Sequence, residues 1–243
     1  MGNFSLKFDK FWETFIKYNG YVKVLEGLKN TLTIAVLGLI IGIVIGTLIA
    51  TARVIPQYKV LPRILNKICS FYVALFRGTP IVVQLLVFYY VLLPLMGSRM
   101  TGIQVAVMVF GLNSAAYISE IMRGGIMSVD SGQMEAGRAV GLSFGTTMLK
   151  IVIPQAVKNI LPTMGNELIA LIKDTSVVSF VGATDLYVAF SFIGSSNYEF
   201  MVPYLVMALI YIVLVLIISF AIKLMERSLR RIDRRKKKKK KFW

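Results

Sequence analysis

The chain has 243 residues, 56% of them hydrophobic, with a mean hydropathy of +0.71, too apolar to leave a soluble domain a polar surface, so the bilayer is its natural solvent. The net charge of +16 does not indicate nucleic acid, because 12 of the 28 Lys and Arg fall between Lys223 and Lys241, after the last apolar run, where basic segments are drawn to anionic lipid. One cysteine, Cys69, and no histidine exclude an internal disulfide, a zinc cluster and histidine-based catalysis, and no metal site is expected.

Three parts are expected along the chain: an amphipathic segment over 1–29, a membrane domain over 30–225 and a basic cytoplasmic tail over 226–243. In the first, Phe4, Phe8, Phe11, Trp12 and Phe15 recur at three- and four-residue spacing, one apolar stripe of a helix that suits the membrane interface. No cleavable signal is expected, since the first long apolar run begins near Thr31.

A helical span needs about 20 apolar residues. The first runs from Thr31 to Ala52, with Gly38, Gly42 and Gly46 forming one smooth face for a neighbouring helix. The second covers Ser70 to Pro94 and is broken in its first third by Arg77-Gly-Thr-Pro80. The third is Gly102 to Met122, the fourth an irregular Thr163 to Val181, and the fifth Val202 to Ile222, with a loop from Ala183 to Met201 before it. The fold class is thus all-α, with about five transmembrane helices. Lys and Arg concentrate between spans one and two, between three and four, and after five, which assigns those segments to the cytoplasm, the C-terminus with them, and puts the N-terminus outside.

Between spans three and four lies a loop over 128–162. Its core, Glu135-Ala-Gly-Arg-Ala-Val-Gly-Leu-Ser-Phe-Gly145, reads as a short helix of small residues followed by a turn, and an apolar stretch then ends at Ile153-Pro154. Small side chains let a partner's groove close over the helix backbone, and Glu135 near its start suits the helix dipole.

This segment resembles the coupling loop of bacterial ABC importer permeases, on Glu135, Ala136, Gly141, Ile153 and Pro154. Gly137 departs from it, standing where the family has a second alanine, and Ile153 replaces the usual leucine. Three further stretches, Phe76–Gln84, Asn113–Gly125 and Gly165–Ser176, with Pro154-Gln-Ala156 and Leu161-Pro162, resemble the polar amino-acid branch of type I permeases over about residues 25–230. The resemblance implies a type I permease fold in a bacterial inner membrane. It also implies a second permease copy or paralogue, a substrate-binding protein or domain outside, and an ABC ATPase subunit docked on the loop. ATP and Mg would sit on that ATPase, because this chain has no Gly-rich loop ending in Gly-Lys-Ser/Thr. No catalytic residue and no cofactor of its own are expected.

Ionisable groups at membrane depth mark structural pairs or transport paths. Asn113, Tyr117 and Glu120 share one face of the third span, where Glu120 either pairs with Arg123 or Arg77 or meets substrate. Glu167 and Asp174 share a face of the fourth, and Lys173 points about a third of a turn away. A zwitterionic amino acid needs an acceptor for its ammonium and a donor for its carboxylate, roles that Glu167 and Lys173 can fill if the helix is irregular near Asp174-Thr-Ser176. A second acid favours a cationic amino acid such as arginine, lysine or histidine. The rival reading is an ion-coupled secondary amino-acid transporter using Glu120, Glu167 and Asp174. It lacks an inverted internal repeat and gives no reason for the loop.

Overall fold

The structure is a computed structural model that describes the backbone over 4–240 and side chains over 4–228. Residues 1–3 of the amphipathic segment, and the side chains beyond 228 that make up most of the basic tail, lie outside the described residues. Every regular element among those described is helical. Helix α1 (Phe4–Trp12) runs through a π turn into α2 (Gly20–Val54). Helix α3 (Val60–Gly78) is followed by α4 (Ile81–Val87), a π turn and α5 (Leu93–Leu95), then by α6 (Gly102–Met127) and the short α7 (Ser131–Ala139). Helix α8 (Phe144–Thr147) leads through a third π turn into α9 (Ile153–Asp174), which tightens to a 3-10 segment over Thr175–Val181. Helices α10 (Leu186–Asn197) and α11 (Met201–Lys240) complete the chain.

Helices α2, α6 and α11 are each long and apolar enough to cross a membrane. Two bent pairs, broken by 105° after Gly78 and by 57° after Val181, bring the crossings to five when each pair counts as one. The break after Gly78 has a local cause. Thr79 precedes Pro80, which drives it out of the helical region, and both residues are extended. Two of the π turns have the same origin: Phe88–Leu92 and Met148–Val152 each hold the carbonyl four residues before a proline, Pro94 or Pro154, and the wider turn relieves the clash with its ring.

The expected glycine face of α2 is the contact with α6. A methyl carbon on Gly42 would lie 2.7 Å from Ser114 Oγ, and one on Gly46 would lie 2.8 Å from Ala115 O. Gly111 on α6 reciprocates, with Ile41 Cγ2 2.6 Å from where its Cβ would stand. Without a hydrophobic drive between helices in lipid, such close backbone approach supplies the packing. Ile34, Leu85, Phe110, Leu171 and Ile172 fill the centre behind it.

Several details differ from the sequence reading. The α2 helix begins at Gly20, and Arg63 and Lys67 sit within α3 rather than in a loop. Ala183–Met201 is not a plain loop, because it contains α10, whose Leu186, Ala189, Phe190 and Ile193 are buried with Val24, Val202 and Phe11. Its twelve uncharged residues are too short to read as a span. The aromatic stripe of α1 divides accordingly: Phe11 enters this cluster, while Phe4, Phe8 and Trp12 stay exposed. Lys7 pairs with Glu199 at 3.2 Å, and Asn197 Nδ2 donates to Lys10 O at 2.9 Å. Pro162 lies inside α9, so the end of the loop over 128–162 and the start of the fourth span at Thr163 are one continuous helix.

Candidate functional site

The break between α3 and α4 opens a cavity of about 470 Å³ lined by Arg77 to Ile81, by Asn113 and Tyr117 on α6, and by Glu167, Ala170, Leu171 and Asp174 on α9. Its shape is held by an amide relay. Asn113 Nδ2 donates to Gln84 Oε1 at 2.9 Å, and Gln84 Nε2 lies 2.8 Å from Phe76 O, 3.0 Å from Thr79 O and 2.9 Å from Thr79 Oγ1. The Phe76 and Thr79 carbonyls are backbone groups that the broken helix leaves unpaired. Thr79 Oγ1 in turn donates to Leu75 O at 2.8 Å, and Tyr72 Oη donates to Leu112 O at 2.5 Å, fixing α3 to α6.

Of the five residues expected to meet substrate, the cavity gathers Glu167, Asn113 and Tyr117. Lys173 is exposed and does not line it, so the expected Glu167–Lys173 pairing is not formed there. The cation on the wall is Arg77, stacked over the Tyr117 ring at 5.4 Å. Periodicity along one helix could not find it, because Arg77 comes from another. The signal was an arginine inside an apolar span. Glu120 sits behind Arg77, bound to Arg53 and to Arg123 at 3.0 Å, with Arg77 at 4.0 Å. The cavity therefore offers two carboxylates and one guanidinium, a net negative site beside a broken helix.

At the end of the fold where α2 and α6 finish, α7 carries Glu135, Ala136 and Gly137. Asp130 caps it by accepting from Gly132 N at 2.7 Å. It ends in a Schellman turn: Leu142 N donates to Gly137 O at 3.1 Å, Gly141 N to Arg138 O at 3.0 Å, and Gly141 takes φ +85°. Gly141 is thus required by the turn. Gly137 is required by packing, since its Cβ would stand 2.4 Å from Thr147 Cγ2. The outer side is exposed and mostly small or apolar, with Ala136, Ala139, Val140 at 77% and Leu149 at 67% exposure beside the charged Glu135. Pro154 lies in the first turn of α9, and Gln155 Nε2 donates to Gln133 Oε1 at 3.2 Å, tying α9 back to α7.

Five crossings, a polar cavity at a broken helix and a rigid exposed helix between spans define a multi-pass transport protein. Residues 38–231 match the family of binding-protein-dependent transport system inner membrane components. The chain is 40% identical over 210 residues, 86% of this chain and 94% of the relative, to the arginine transport system permease protein ArtQ of Bacillus subtilis (strain 168). It is 37% identical over 219 residues, 90% of this chain and 98% of the relative, to a putative glutamine transport system permease protein GlnP of Rickettsia bellii (strain RML369-C). A crystal structure of an amino acid ABC transporter with histidines superposes with a TM-score of 0.80 at 36% identity, covering 88% of this chain and 97% of that one. The chain belongs to this family of inner membrane components, as a permease subunit of amino-acid ABC importers, and is a transport subunit rather than an enzyme.

Proposed function

We propose that this subunit passes polar amino acids, preferentially those with a cationic side chain, into the cell by alternating access driven by ATP hydrolysis on a partner. The observation that carries this reading is the cavity wall, with Glu167 and Asp174 against a single Arg77. The guanidinium suits a ligand carboxylate, one acid suits its α-ammonium, and the other is left for a side-chain cation. Asn113 and Tyr117 supply polar edges. The relatives named for arginine and glutamine transport agree with a polar amino-acid ligand.

The ATPase, which holds ATP and Mg, docks on α7 through Glu135, Ala136 and the shape set by Gly137 and Gly141, and Ile153 and Pro154 transmit its movement into α9. The basic end, with α7 and the C-terminus, faces the cytoplasm. The N-terminus and α10 face outside, where a substrate-binding protein delivers the ligand. A second permease copy or paralogue completes the pathway, and lipid surrounds the rest.

The test is ATP hydrolysis in proteoliposomes by the chain assembled with its ATPase and binding protein, with single amino acids added. Arginine, lysine or histidine should stimulate it, and Glu167→Gln should raise the half-stimulating concentration about 10- to 100-fold, as loss of one charge-assisted hydrogen bond predicts. Flux that follows an ion gradient without an associated ATPase would establish the secondary-transporter reading instead.

A further inference from the structure

Sequence reading left Glu120 between two roles, substrate contact and structural pair. The geometry points to a third: we infer that Glu120 is a positioning residue that holds Arg77 as the reader of the ligand carboxylate, an inference that rests on the proposed amino-acid cavity. Glu120 is not on the cavity wall, but Arg77 is. Its carboxylate is shared by three guanidinium groups from three helices. Arg53, at the end of α2, takes Oε1. Arg123, one turn on along α6, takes Oε2 through Nε at 3.3 Å and Nη2 at 3.0 Å. Arg77, in the last turn of α3, reaches the same Oε2 only at 4.0 Å.

These contacts are graded. The Arg53 side chain is 13% exposed, whereas Arg77 is 46% exposed and makes the longest contact. One carboxylate cannot neutralise three cations, so the least committed guanidinium keeps both its charge and free N–H donors. Arginine's planar fork accepts a carboxylate in two parallel bonds, provided the plane is held in the right orientation. Two contacts hold it here: the Tyr117 ring beneath at 5.4 Å and the Glu120 oxygen behind. Tyr117 and Glu120 lie one helical turn apart on α6, so a single rigid helix presents both. The design leaves Arg77 oriented but not consumed. A bidentate partner at Glu120 would quench it, and no partner would let its long side chain swing away.

The inference separates Glu120 from an ordinary structural ion pair, because it predicts an effect confined to the carboxylate end of the ligand. The assay is equilibrium binding of labelled L-arginine and of L-argininamide, which lacks the carboxylate, to the permease–ATPase complex in detergent, with binding protein omitted. Wild type should prefer arginine by about 10- to 100-fold, the value of a charge-assisted bond, and Arg77→Ala should abolish that preference. Glu120→Gln should cut the preference to less than about 3-fold while argininamide binding holds within about 2-fold, since its own contacts, to Glu167 and Asp174, remain. Glu120→Asp keeps the charge and draws the oxygens back by one methylene, lengthening the already long Arg77 contact first. It should give an intermediate preference, and it decides the matter if Glu120→Gln fails to assemble. A full arginine preference retained in both Glu120 variants would overturn the positioning role. A wild type without preference, unaffected by Arg77→Ala, would instead overturn the cavity reading on which it rests.

Discussion

Gly137 stands where the family loop has alanine, and the structure turns that departure into a quantitative expectation for Gly137→Ala. The added carbon would lie 2.4 Å from Thr147 Cγ2 and 2.9 Å from its Oγ1. Carbon atoms rest about 3.5–4.0 Å apart, so one partner must move by roughly 1 Å or more. Thr147 is fully buried, and its Oγ1 donates at 3.0 Å to Ser143 O, the residue that also caps α8. The movement therefore falls on α7. Overpacking of this kind costs about 1–3 kcal/mol, offset by up to about 1 kcal/mol from alanine's better helix propensity. A net loss of about 1 kcal/mol should leave the complex assembled, with its melting midpoint lowered by roughly 2–4 °C. The larger effect should be functional, because α7 is displaced against the ATPase proposed to dock there: fewer amino acids transported per ATP hydrolysed in proteoliposomes. The double variant Gly137→Ala, Thr147→Ala removes both clashing atoms, leaving a Cβ contact of 3.2 Å, and should recover most of the coupling. Wild-type coupling in the single variant would refute the claim that Thr147 sets the position of α7.

Gly46→Val should abolish assembly, because its Cβ meets the Ala115 backbone oxygen at 2.8 Å, whereas Gly145→Ala, with open space around it, should match wild type on size-exclusion chromatography. Phe11→Ala should release α1 and raise hydrogen exchange over residues 4–17, since burying that ring is worth about 3–5 kcal/mol, while Lys7→Ala, which removes a partly exposed pair, should change exchange little. Gln84→Leu strands the Thr79 carbonyl, at about 1–3 kcal/mol, and leaves the Phe76 carbonyl and the Asn113 amide only their 3.4 Å contact with each other, so spin labels at exposed Phe71 and Tyr90, in a chain with Cys69 replaced, should show a broadened distance distribution. An unchanged narrow distribution would mean that the 105° bend does not depend on the amide relay.

Much of this architecture was legible because membrane helices declare themselves by length and charge. The long spans and their glycine face were readable in that way. So were the interruption at Arg77–Pro80 and the irregularity at Asp174-Thr-Ser176, where the α-helix gives way to 3-10 geometry. Helix α10 was not, since twelve uncharged residues ending in Ser-Ser-Asn match neither a span nor a turn rule. It is helical because Asp185 caps it, accepting from Val188 N at 2.9 Å, and because α1, α2 and α11 bury one side of it. The loop from Glu135 to Pro154 was legible as a motif. The reason for Gly137 was not, because Thr147 is a neighbour in space and not at helical spacing.

The candidate site shows where such reading stops. Helical spacing compares residues within one helix, so it offered Lys173 as the cation to accompany Glu167, and the wall holds Arg77 instead. The substitution follows from the break itself. Pro80 forces Thr79 out of the helix, which ends α3 at Gly78 and makes Arg77 a last-turn residue, where a cation is favoured by the helix dipole. The same break exposes the Phe76 and Thr79 carbonyls, which Gln84 and Asn113 then cover from α4 and α6. Each irregularity of the second span has thus become part of one wall: the proline places the guanidinium, the amides seal the backbone, and α6 brings Tyr117 beneath and Glu120 behind. A proline-free second span would cross the bilayer more simply and would have no cavity to line.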